Sequence, residues 1–389
     1  MNVLFDNTKI AFKLKSDADL ERAYFLFKMI ANEPLVRIGT AVTNFALKAH
    51  LPVQGLIRAT VFDHFCGGVD EEDCLPVIDK MYTQGKVSSV LDYSVEGKEE
   101  EAQFDAACQK ILKILDFVDE KEAIPFGVFK PTGFGRFELW KKKSAGLLLT
   151  PEEEEEWNRI IERFHLVCRK AHDCNVPLLI DAEESWMQDA ADDLVTDLMN
   201  IYNKKKAIVY NTLQMYRHDR HAYFQKLHQK AIKEGFVIGI KIVRGAYMEK
   251  ENERAKEKGY ASPICKDKQT TDQNFDNTLE YILSNLEHIS VFIGTHNEAS
   301  CYKAIDLMSQ YNLDKTDERI WFGQLYGMSD HISFNLAEEG YQVAKYLPFG
   351  PVRDVMPYLI RRAEENTSVA GQTTRELDLI SKERKRRKV

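Results

Sequence analysis

The chain has 389 residues, of which 44% are hydrophobic, and this is enough to bury a large core. Its 61 Asp and Glu residues outnumber 53 Lys and Arg residues, and the net charge of -8 does not favour nucleic acid as a partner. The seven cysteines contain no CxxC pair, which indicates a reducing compartment rather than a disulfide framework. The N-terminus lacks the pattern of a signal or transit peptide, and no apolar run reaches the roughly 18 residues that span a bilayer. We therefore expect any membrane contact to be peripheral.

The first 85 residues are predicted to be helical. The stretch "DADLERAYFLFKMIAN" begins with acidic residues and places apolar residues at helical spacing. The stretch "LVRIGTAVTNFALKAH" continues in the same way, and neither contains a strong strand pattern. An N-terminal helical region is therefore expected over residues 1–85.

From residue 86 onward, short β-rich runs alternate with longer amphipathic stretches. Each run is β-branched or aromatic and almost continuously apolar at its start, as is typical of a strand buried on both faces. The clearest helix begins after Thr150, with Pro151 at the first helical position and Glu153 completing a capping box. The eight runs occupy residues 86–97, 124–135, 176–184, 207–216, 237–247, 289–298, 319–327 and 341–350.

Eight strand–helix units in series predict a (β/α)8 barrel rather than an open doubly wound sheet. Polar residues fall at the C-terminal ends of all the runs, where barrel enzymes build their active sites. An open sheet would instead concentrate such residues near one switch point. The chain has no GxGxxG, P-loop or HExxH motif, so a nucleotide-like cofactor would bind without the Rossmann fingerprint. The polar residues at the run ends are Asp92, Lys130, Asp181, Gln214, Arg244, Tyr247, His296, Gln324 and Tyr346.

Lys130 and Asp181 end the second and third predicted strands, so their charged groups are expected to pair. The pair could hold a zwitterionic substrate, or it could be an ordinary structural ion pair. Lys130 could also be a Schiff-base nucleophile, as in an aldolase-type barrel. Asp181 lies in "DAEE", and paired carboxylates also occur in glycosidases, although nothing else in the chain favours sugar binding. The residues alone leave these alternatives open.

The helix predicted after the eighth strand carries a possible anion clamp. Tyr358, Arg361, Arg362 and Glu365 stand at i, i+3, i+4 and i+7, which places them on one helical face. Two guanidinium groups on one face suit a substrate carboxylate, because the planar fork binds it through two hydrogen bonds. The alternative is an exposed amphipathic helix. The basic run at 382–389 is expected to be a solvated terminus, with anionic lipid or nucleic acid as the alternative.

Seven motifs follow one another along the chain: "VFKPTGFG", "LLIDAEE", "KIVRGAYMEKENERA", "GTHNEAS", "FGQLYGM", "KYLPFGPV" and "YLIRRAEENTS". Together they resemble the proline dehydrogenase family, closest to its monofunctional, eukaryote-like branch. The resemblance implies a distorted (β/α)8 TIM barrel that holds FAD non-covalently, with a C-terminal helix over the barrel mouth. It implies an N-terminal helical region at 1–85, a catalytic barrel at 86–380 and a basic C-terminal tail at 381–389.

The implied reaction is oxidation of L-proline to Δ1-pyrroline-5-carboxylate, the first step of proline catabolism to glutamate. Hydride would pass from ring C5 to flavin N5, and electrons would go on to a membrane quinone. The implied partners are therefore L-proline and a quinone, with no nucleic acid, in a cytoplasmic protein that contacts the inner face of the membrane peripherally. A hydroxyproline-preferring dehydrogenase of the same family is the alternative. Tyr346 argues against it, because the phenol ring would crowd a 4-hydroxyl group.

The resemblance also assigns roles to individual residues, and it implies no metal. Two departures from the family pattern stand out. Lys241 occupies the position near flavin N5 where many bacterial members carry arginine, so the charge is kept but the fork is lost. Met248 occupies a position where some relatives place an aromatic residue near the adenine. The implied catalytic residues are Asp181 and Lys241. The implied substrate-binding residues are Lys130, Leu325, Tyr346, Tyr358, Arg361 and Arg362, supported by Tyr247 and Glu365. The implied flavin contacts are Ala182, Gln214, Arg244, Gly245, Ala246, Thr295 and His296.

Overall fold

The computed structural model describes residues 4–32, 34, 39, 54–94, 99–368 and 372–388, and within these ranges all side chains except those of 54, 56, 59, 363–368 and 372. The helix predicted at "LVRIGTAVTNFALKAH" lies almost wholly outside the described residues. The chain divides into two compact units. The first unit comprises Met1–Glu96 and Gln324–Val389, and the second unit comprises Gly97–Gly323.

All eight predicted strands are confirmed, and each lies inside its predicted run. Almost every strand residue is buried, which explains why the runs are apolar on both faces rather than alternating. In the second unit, strands β2 to β7 pair in parallel and in chain order. In the first unit, β1 pairs in parallel with β8. The strands are β1 (Ser88–Tyr93), β2 (Gly127–Phe129), β3 (Leu178–Ile180), β4 (Val209–Gln214), β5 (Ile238–Val243), β6 (Ile289–Gly294), β7 (Ile320–Leu325) and β8 (Val343–Phe349).

Helices fill the chain between these strands. Within the described ranges, every helix is too short or too polar to cross a lipid bilayer. The α-helices of the first unit are Thr8–Ala11, Asp17–Ile30, Gln54–Ile57, Asp63–Phe65, Glu71–Gly85, Asp330–Glu338, Met356–Ser368 and Gln372–Arg387. Those of the second unit are Glu101–Val118, Phe137–Ser144, Pro151–Asp173, Ser185–Tyr202, Arg220–Glu234, Met248–Lys258, Lys268–Leu283 and Glu298–Gln310.

The capping box predicted at Thr150 is confirmed at the start of the longest helix, Pro151–Asp173. The Thr150 hydroxyl accepts a hydrogen bond from the Glu153 N–H at 3.3 Å, and the Glu153 carboxylate accepts one from the Thr150 N–H at 3.0 Å. These two bonds satisfy main-chain donors that a helix start leaves without intrahelical partners. The helix ends just before β3, which Asp181 directly follows.

The basic C-terminal run is mostly helical. The expectation of a solvated terminus is wrong for Arg384 and Arg387, whose side chains are half-buried. Helix Gln372–Arg387 extends through most of the run. Arg384 forms a two-point contact with the Glu21 carboxylate, and Arg387 Nη1 lies 3.1 Å from Asp17 Oδ1. Acidic residues one turn apart near the N-terminus therefore supply partners that the local sequence around the basic run does not reveal.

A buried lysine fixes the turn that follows β7. Lys345 is 0% exposed, and its ammonium group donates hydrogen bonds to the carbonyls of Leu325 at 3.3 Å and Met328 at 2.6 Å. It also lies 2.8 Å from the Asp330 carboxylate, which Lys15 approaches at 3.2 Å. Burial opposes ionisation of Asp330, but the two ammonium groups hold the pKa of its carboxyl group well below the usual range. This charged cluster thereby fixes the main chain at Leu325, a predicted substrate neighbour.

Candidate active site

Asp181 directly follows β3, and its carboxylate lies between two lysines. Lys241 in β5 donates a hydrogen bond to Oδ1, and the Lys130 ammonium group, directly after β2, lies 3.9 Å from Oδ2. This distance confirms the predicted proximity of Lys130 and Asp181. They are close because the carboxyl ends of parallel strands meet at one edge of a sheet. The sequence analysis missed Lys241 as the closer partner of Asp181. Its signal was a charged residue inside an otherwise apolar strand.

Glu183, in the segment after β3, forms hydrogen bonds with the loop after β2 and with the last residue of β4. Its carboxylate accepts hydrogen bonds from the Thr132 N–H at 3.0 Å and the Thr132 hydroxyl at 2.7 Å. Its main-chain carbonyl accepts a hydrogen bond from Gln214 Nε2 at 2.6 Å. Burial raises the pKa of Glu183 to about 7, despite the two hydrogen bonds, which favour the ionised form. Sequence analysis noted only the acidity of "DAEE" and missed this role.

The raised pKa of Glu183 predicts a pH-dependent stability that Glu183→Gln removes. Between about pH 4.5 and 7, the native carboxyl holds a proton that the unfolded chain has released, so this group's contribution to stability falls as pH rises. At about pH 8 we expect the variant to be more stable than the parent by about 1 kcal/mol, measured by chemical unfolding. The exposed Glu155→Gln variant is the control and should leave the pH profile unchanged. A parent-like profile for Glu183→Gln would contradict the assignment.

A second set of contacts holds the helix that follows β5. The N–H and hydroxyl of Ser185 donate hydrogen bonds to the two carboxylate oxygens of Glu251, each at 2.6 Å. Lys250, next to Glu251 in helix Met248–Lys258, forms an ion pair with Glu184. These contacts fix the position of the short segment that joins β5 to this helix. The sequence analysis assigned no role to any of these four side chains.

Arg244 directly follows β5, and its guanidinium group contacts side chains from several segments. Nε donates to Asp272 at 2.7 Å, Nη1 to the Thr295 hydroxyl at 2.8 Å and Nη2 to the Ser300 hydroxyl at 3.0 Å. The guanidinium group also lies over the Phe275 ring, 4.6 Å from its centroid. Because these contacts remove most of its rotational freedom, Arg244 is preorganised to bind an anionic group such as a phosphate.

The segment after Arg244 has a backbone that only glycine suits. Gly245 has φ of +127°, and a Cβ atom built on it would lie 2.1 Å from the Tyr216 ring. The Ala246 N–H donates to Gln214 Oε1 at 3.4 Å. Gly245 and Ala246 are exposed, so a flat ligand can approach their main chain without meeting a side chain beyond a methyl group. Arg244, Gly245, Ala246 and Gln214 therefore fit a cofactor that combines a planar ring with phosphates.

The other residues predicted to contact the flavin also follow strands. Ala182 is half-buried after β3, and half-buried His296 follows buried Thr295 after β6. Tyr247, predicted to support the substrate site, is half-buried after β5. Thr295 is fixed because its hydroxyl accepts hydrogen bonds from Arg244 and from the Asn297 N–H at 3.1 Å. In the part of the chain that the structure describes, no group of three or more His, Cys, Asp or Glu side chains could hold a metal ion.

In the first unit, the predicted helix after β8 is confirmed as Met356–Ser368. Tyr358 is buried, Arg361 is half-buried and Arg362 is 8% exposed. The Arg362 guanidinium carbon lies 5.2 Å from the Tyr358 ring centroid, a cation–π contact. The alternative of an exposed amphipathic helix is therefore wrong for Tyr358 and Arg362. The prediction for the Glu365 side chain lies outside the described residues.

Tyr346 is buried, but it does not end its strand as predicted. It is the fourth residue of β8, which continues through apolar residues to Phe349 because these pair with β1. The Tyr346 carbonyl accepts a hydrogen bond from the Tyr326 N–H at 2.8 Å. This bond places Tyr346 next to the turn that follows half-buried Leu325, a further predicted ring neighbour in this unit.

Comparisons with known proteins identify the family and the fold. Residues 74–375 match the family model described as "Proline dehydrogenase". The carbapenem antibiotics biosynthesis protein CarD of Pectobacterium carotovorum subsp. carotovorum is 34% identical over 365 residues, which cover 93% of this chain and 94% of that protein. Proline dehydrogenase 1, mitochondrial, of Arabidopsis thaliana is 32% identical over an alignment 416 positions long, which covers 95% of this chain and 83% of that protein.

The crystal structure of proline utilization A (PutA) from Bdellovibrio bacteriovorus, inactivated by N-propargylglycine, superposes with a TM-score of 0.72 at 21% identity. The match covers 93% of this chain and 38% of that chain. It shows that the fold is the predicted α/β class, a distorted barrel of eight parallel strands with N- and C-terminal helices. The region matched by the family model contains every predicted site residue, from Lys130 to Glu365. The chain is thus an enzyme of the proline dehydrogenase family.

Proposed function

We propose that the chain oxidises L-proline to Δ1-pyrroline-5-carboxylate with FAD as its cofactor, and that a membrane quinone takes the electrons. The observation that carries this proposal is the family match over residues 74–375, which contains all the predicted site residues. The test is steady-state turnover with a soluble quinone. We expect quinone reduction that depends on L-proline, together with formation of the cyclic imine. A flavin-loaded protein that forms no imine from L-proline would contradict the proposal.

The residues around Arg244 would hold the cofactor. Arg244 is already fixed by its neighbours and supplies a cation for a phosphate group, while Gly245 and Ala246 offer exposed main chain. When bound, FAD would supply the hydride acceptor for the substrate's C5–H bond. Lys241 would supply a fixed positive charge near flavin N5, because its ammonium group is already oriented by Asp181. Ala182, Gln214, Thr295 and His296 would complete the flavin contacts.

The helix after β8 would bind the substrate. Arg361 and Arg362 would hold the proline carboxylate through bidentate hydrogen bonds, with Lys130 as a further cation and Glu365 as support for the arginines. Tyr346, Tyr358 and Leu325 would form the walls around the pyrrolidine ring, and Tyr247 would lie near it. Fixing the carboxylate at one end of a small rigid ring fixes the direction of its C5–H bonds, which lowers the entropic part of the barrier.

Oxidation to an imine also requires the ring nitrogen to lose a proton. Asp181 is the acidic residue placed best for this, but two ammonium groups already engage its carboxylate. We therefore propose that Asp181 orients Lys241 and Lys130, and that water accepts the proton. A Schiff-base role for Lys130 finds no support in the family match. Borohydride trapping with a carbonyl substrate would reveal such a role.

Arg362→Met is expected to raise KM for L-proline by about tenfold, because a hydrophobic side chain cannot hydrogen-bond the carboxylate. Loss of both arginines should have a larger effect. Steady-state kinetics of the flavin-loaded protein measure it, with Arg353→Met as the control because Arg353 is exposed just before the same helix. An unchanged KM for Arg362→Met would show that Arg362 does not bind the carboxylate.

The choice between proline and hydroxyproline is proposed to depend on Tyr346. Because this side chain is buried and bulky, we expect kcat/KM for L-proline to exceed that for 4-hydroxyproline. Equal values would favour the hydroxyproline-preferring alternative. We also propose that residues 86–380 form the catalytic barrel, that 1–85 and 381–389 are accessory regions, and that the protein is cytoplasmic with peripheral contact at the inner face of the membrane.

A further inference from the structure

Helix Asp17–Ile30 exposes two large apolar side chains on the face opposite to its buried residues. Phe25 is 64% exposed and Met29 is 42% exposed, although the same helix buries Leu20 and Phe27. Residues four apart lie above one another on a helix, so Phe25 and Met29 form one continuous apolar surface. Contiguous exposed apolar surface marks interaction sites when it is extensive and rimmed by polar residues, so the surroundings of this pair decide its meaning.

The basic C-terminal helix packs directly beside this apolar pair. Arg384 contacts Glu21 at two points and covers the Tyr24 ring at 4.1 Å from its centroid, and Arg387 pairs with Asp17. At roughly 100° per residue, Phe25 and Met29 are rotated by roughly 40° and 80° from Glu21 around the helix axis. They therefore lie beside the residues of this helix that contact the basic C-terminal helix.

The charge of this region opposes that of the whole protein. Residues 17–30 and 382–388 contain eight Lys and Arg residues against four Asp and Glu residues, whereas the whole chain has a net charge of -8. The acidic residues have cationic partners within the region: Asp17, Asp19, Glu21 and Glu383 pair with Arg387, Arg22, Arg384 and Arg386. Lys28, Lys385 and Lys388 are exposed.

We propose that this apolar–basic surface, formed by Phe25, Met29, Lys28, Lys385 and Lys388, docks the protein on an anionic lipid bilayer. Phe25 and Met29 would enter the boundary between headgroups and acyl chains, and the lysines would bind lipid phosphates. The two signals together favour lipid over nucleic acid, since a polyanion in water gives Met29 nothing to bury against. This inference rests on the proposed function, in which a membrane quinone accepts the electrons.

Flotation of the purified protein with lipid vesicles tests the inference. The assay contains no L-proline. We expect binding to vesicles of phosphatidylglycerol and phosphatidylcholine, little binding to pure phosphatidylcholine, and weakening by salt. Phe25→Ser with Met29→Ser, and separately Lys385→Glu with Lys388→Glu, should each weaken binding by about tenfold or more. The matched controls are Leu148→Ser, a 97% exposed leucine, and Lys205→Glu with Lys206→Glu, two exposed lysines. The controls should bind like the parent.

The inference is overturned if the parent shows no preference for anionic vesicles, if both test variants bind like the parent, or if the control variants lose binding equally. Loss with the lysine variant alone would also overturn it and would indicate a purely electrostatic partner such as nucleic acid. Thermal unfolding confirms that each variant is folded. Turnover with a soluble quinone is measured separately, so failure of lipid docking and failure of proline oxidation are distinguishable.

Discussion

Replacing Lys345 by Met is expected to lower the free energy of unfolding by about 3 kcal/mol, because it breaks a buried ion pair from one side. Lys345 is 0% exposed and is 2.8 Å from Asp330. Without it, the carboxylate keeps only Lys15 as a cationic partner, and the carbonyls of Leu325 and Met328 each lose a donor. Each of these losses carries a desolvation penalty that is not recovered in a buried site.

Chemical unfolding measures this effect, and the chain offers a matched control. Lys13 pairs with Glu338 at 2.9 Å, but both side chains are partly in solvent. Lys13→Met should therefore change the free energy of unfolding by less than about 0.5 kcal/mol. Because Lys345 also fixes the main chain at Leu325, the Lys345 variant should raise KM for L-proline as well. Equal stability of the two variants would mean that the buried cluster does not stabilise the first unit.

Gly245→Ala is expected to weaken FAD binding by about a hundredfold. The added Cβ would lie 2.1 Å from the Tyr216 ring at a φ of +127°, so the main chain after β5 must move. Backbone strain and overpacking of this kind together cost about 3 kcal/mol, which corresponds to roughly a hundredfold in affinity. The movement displaces Arg244 and Ala246, which are the proposed contacts of the cofactor.

The flavin dissociation constant, measured by fluorescence quenching, tests this expectation. Gly235→Ala is the control, because Gly235 also has a positive φ, of +69°, but a Cβ there would meet nothing within 4 Å. That variant should lose about 1 kcal/mol of stability from backbone strain and keep its affinity for FAD. Parent-like FAD affinity in Gly245→Ala would remove the segment after β5 from the cofactor site.

Much of the fold follows from local sequence patterns. Strands buried on both faces must be apolar throughout. Each of the eight runs could therefore be recognised from its own sequence, without knowledge of the strand it pairs with. The helix start at Thr150 was equally clear, because a capping box is formed by residues only three apart. The spacing of Tyr358 and Arg362, four residues apart in helix Met356–Ser368, predicted that they share a face, and their burial and cation–π contact agree with this.

Contacts between distant segments could not be predicted in the same way. Lys241 and Asp181 are 60 residues apart, and Ser185 and Glu251 are 66 apart. The order of the strands in the sheet brings each pair together. In the sequence alone, several acidic residues are equally possible partners for each side chain. The basic C-terminal helix shows the largest sequence separation, because Arg384 binds the carboxylate of Glu21, 363 residues earlier in the chain. Tyr346 was assigned to a strand end because the sequence does not show where pairing with β1 stops.

The most direct test of the account is anaerobic addition of L-proline to the purified, FAD-loaded protein while its visible spectrum is recorded. We predict flavin absorption bands that bleach in proportion to added L-proline and return when a quinone is supplied. A protein that cannot be loaded with flavin, or whose bands do not change with L-proline, would contradict the account.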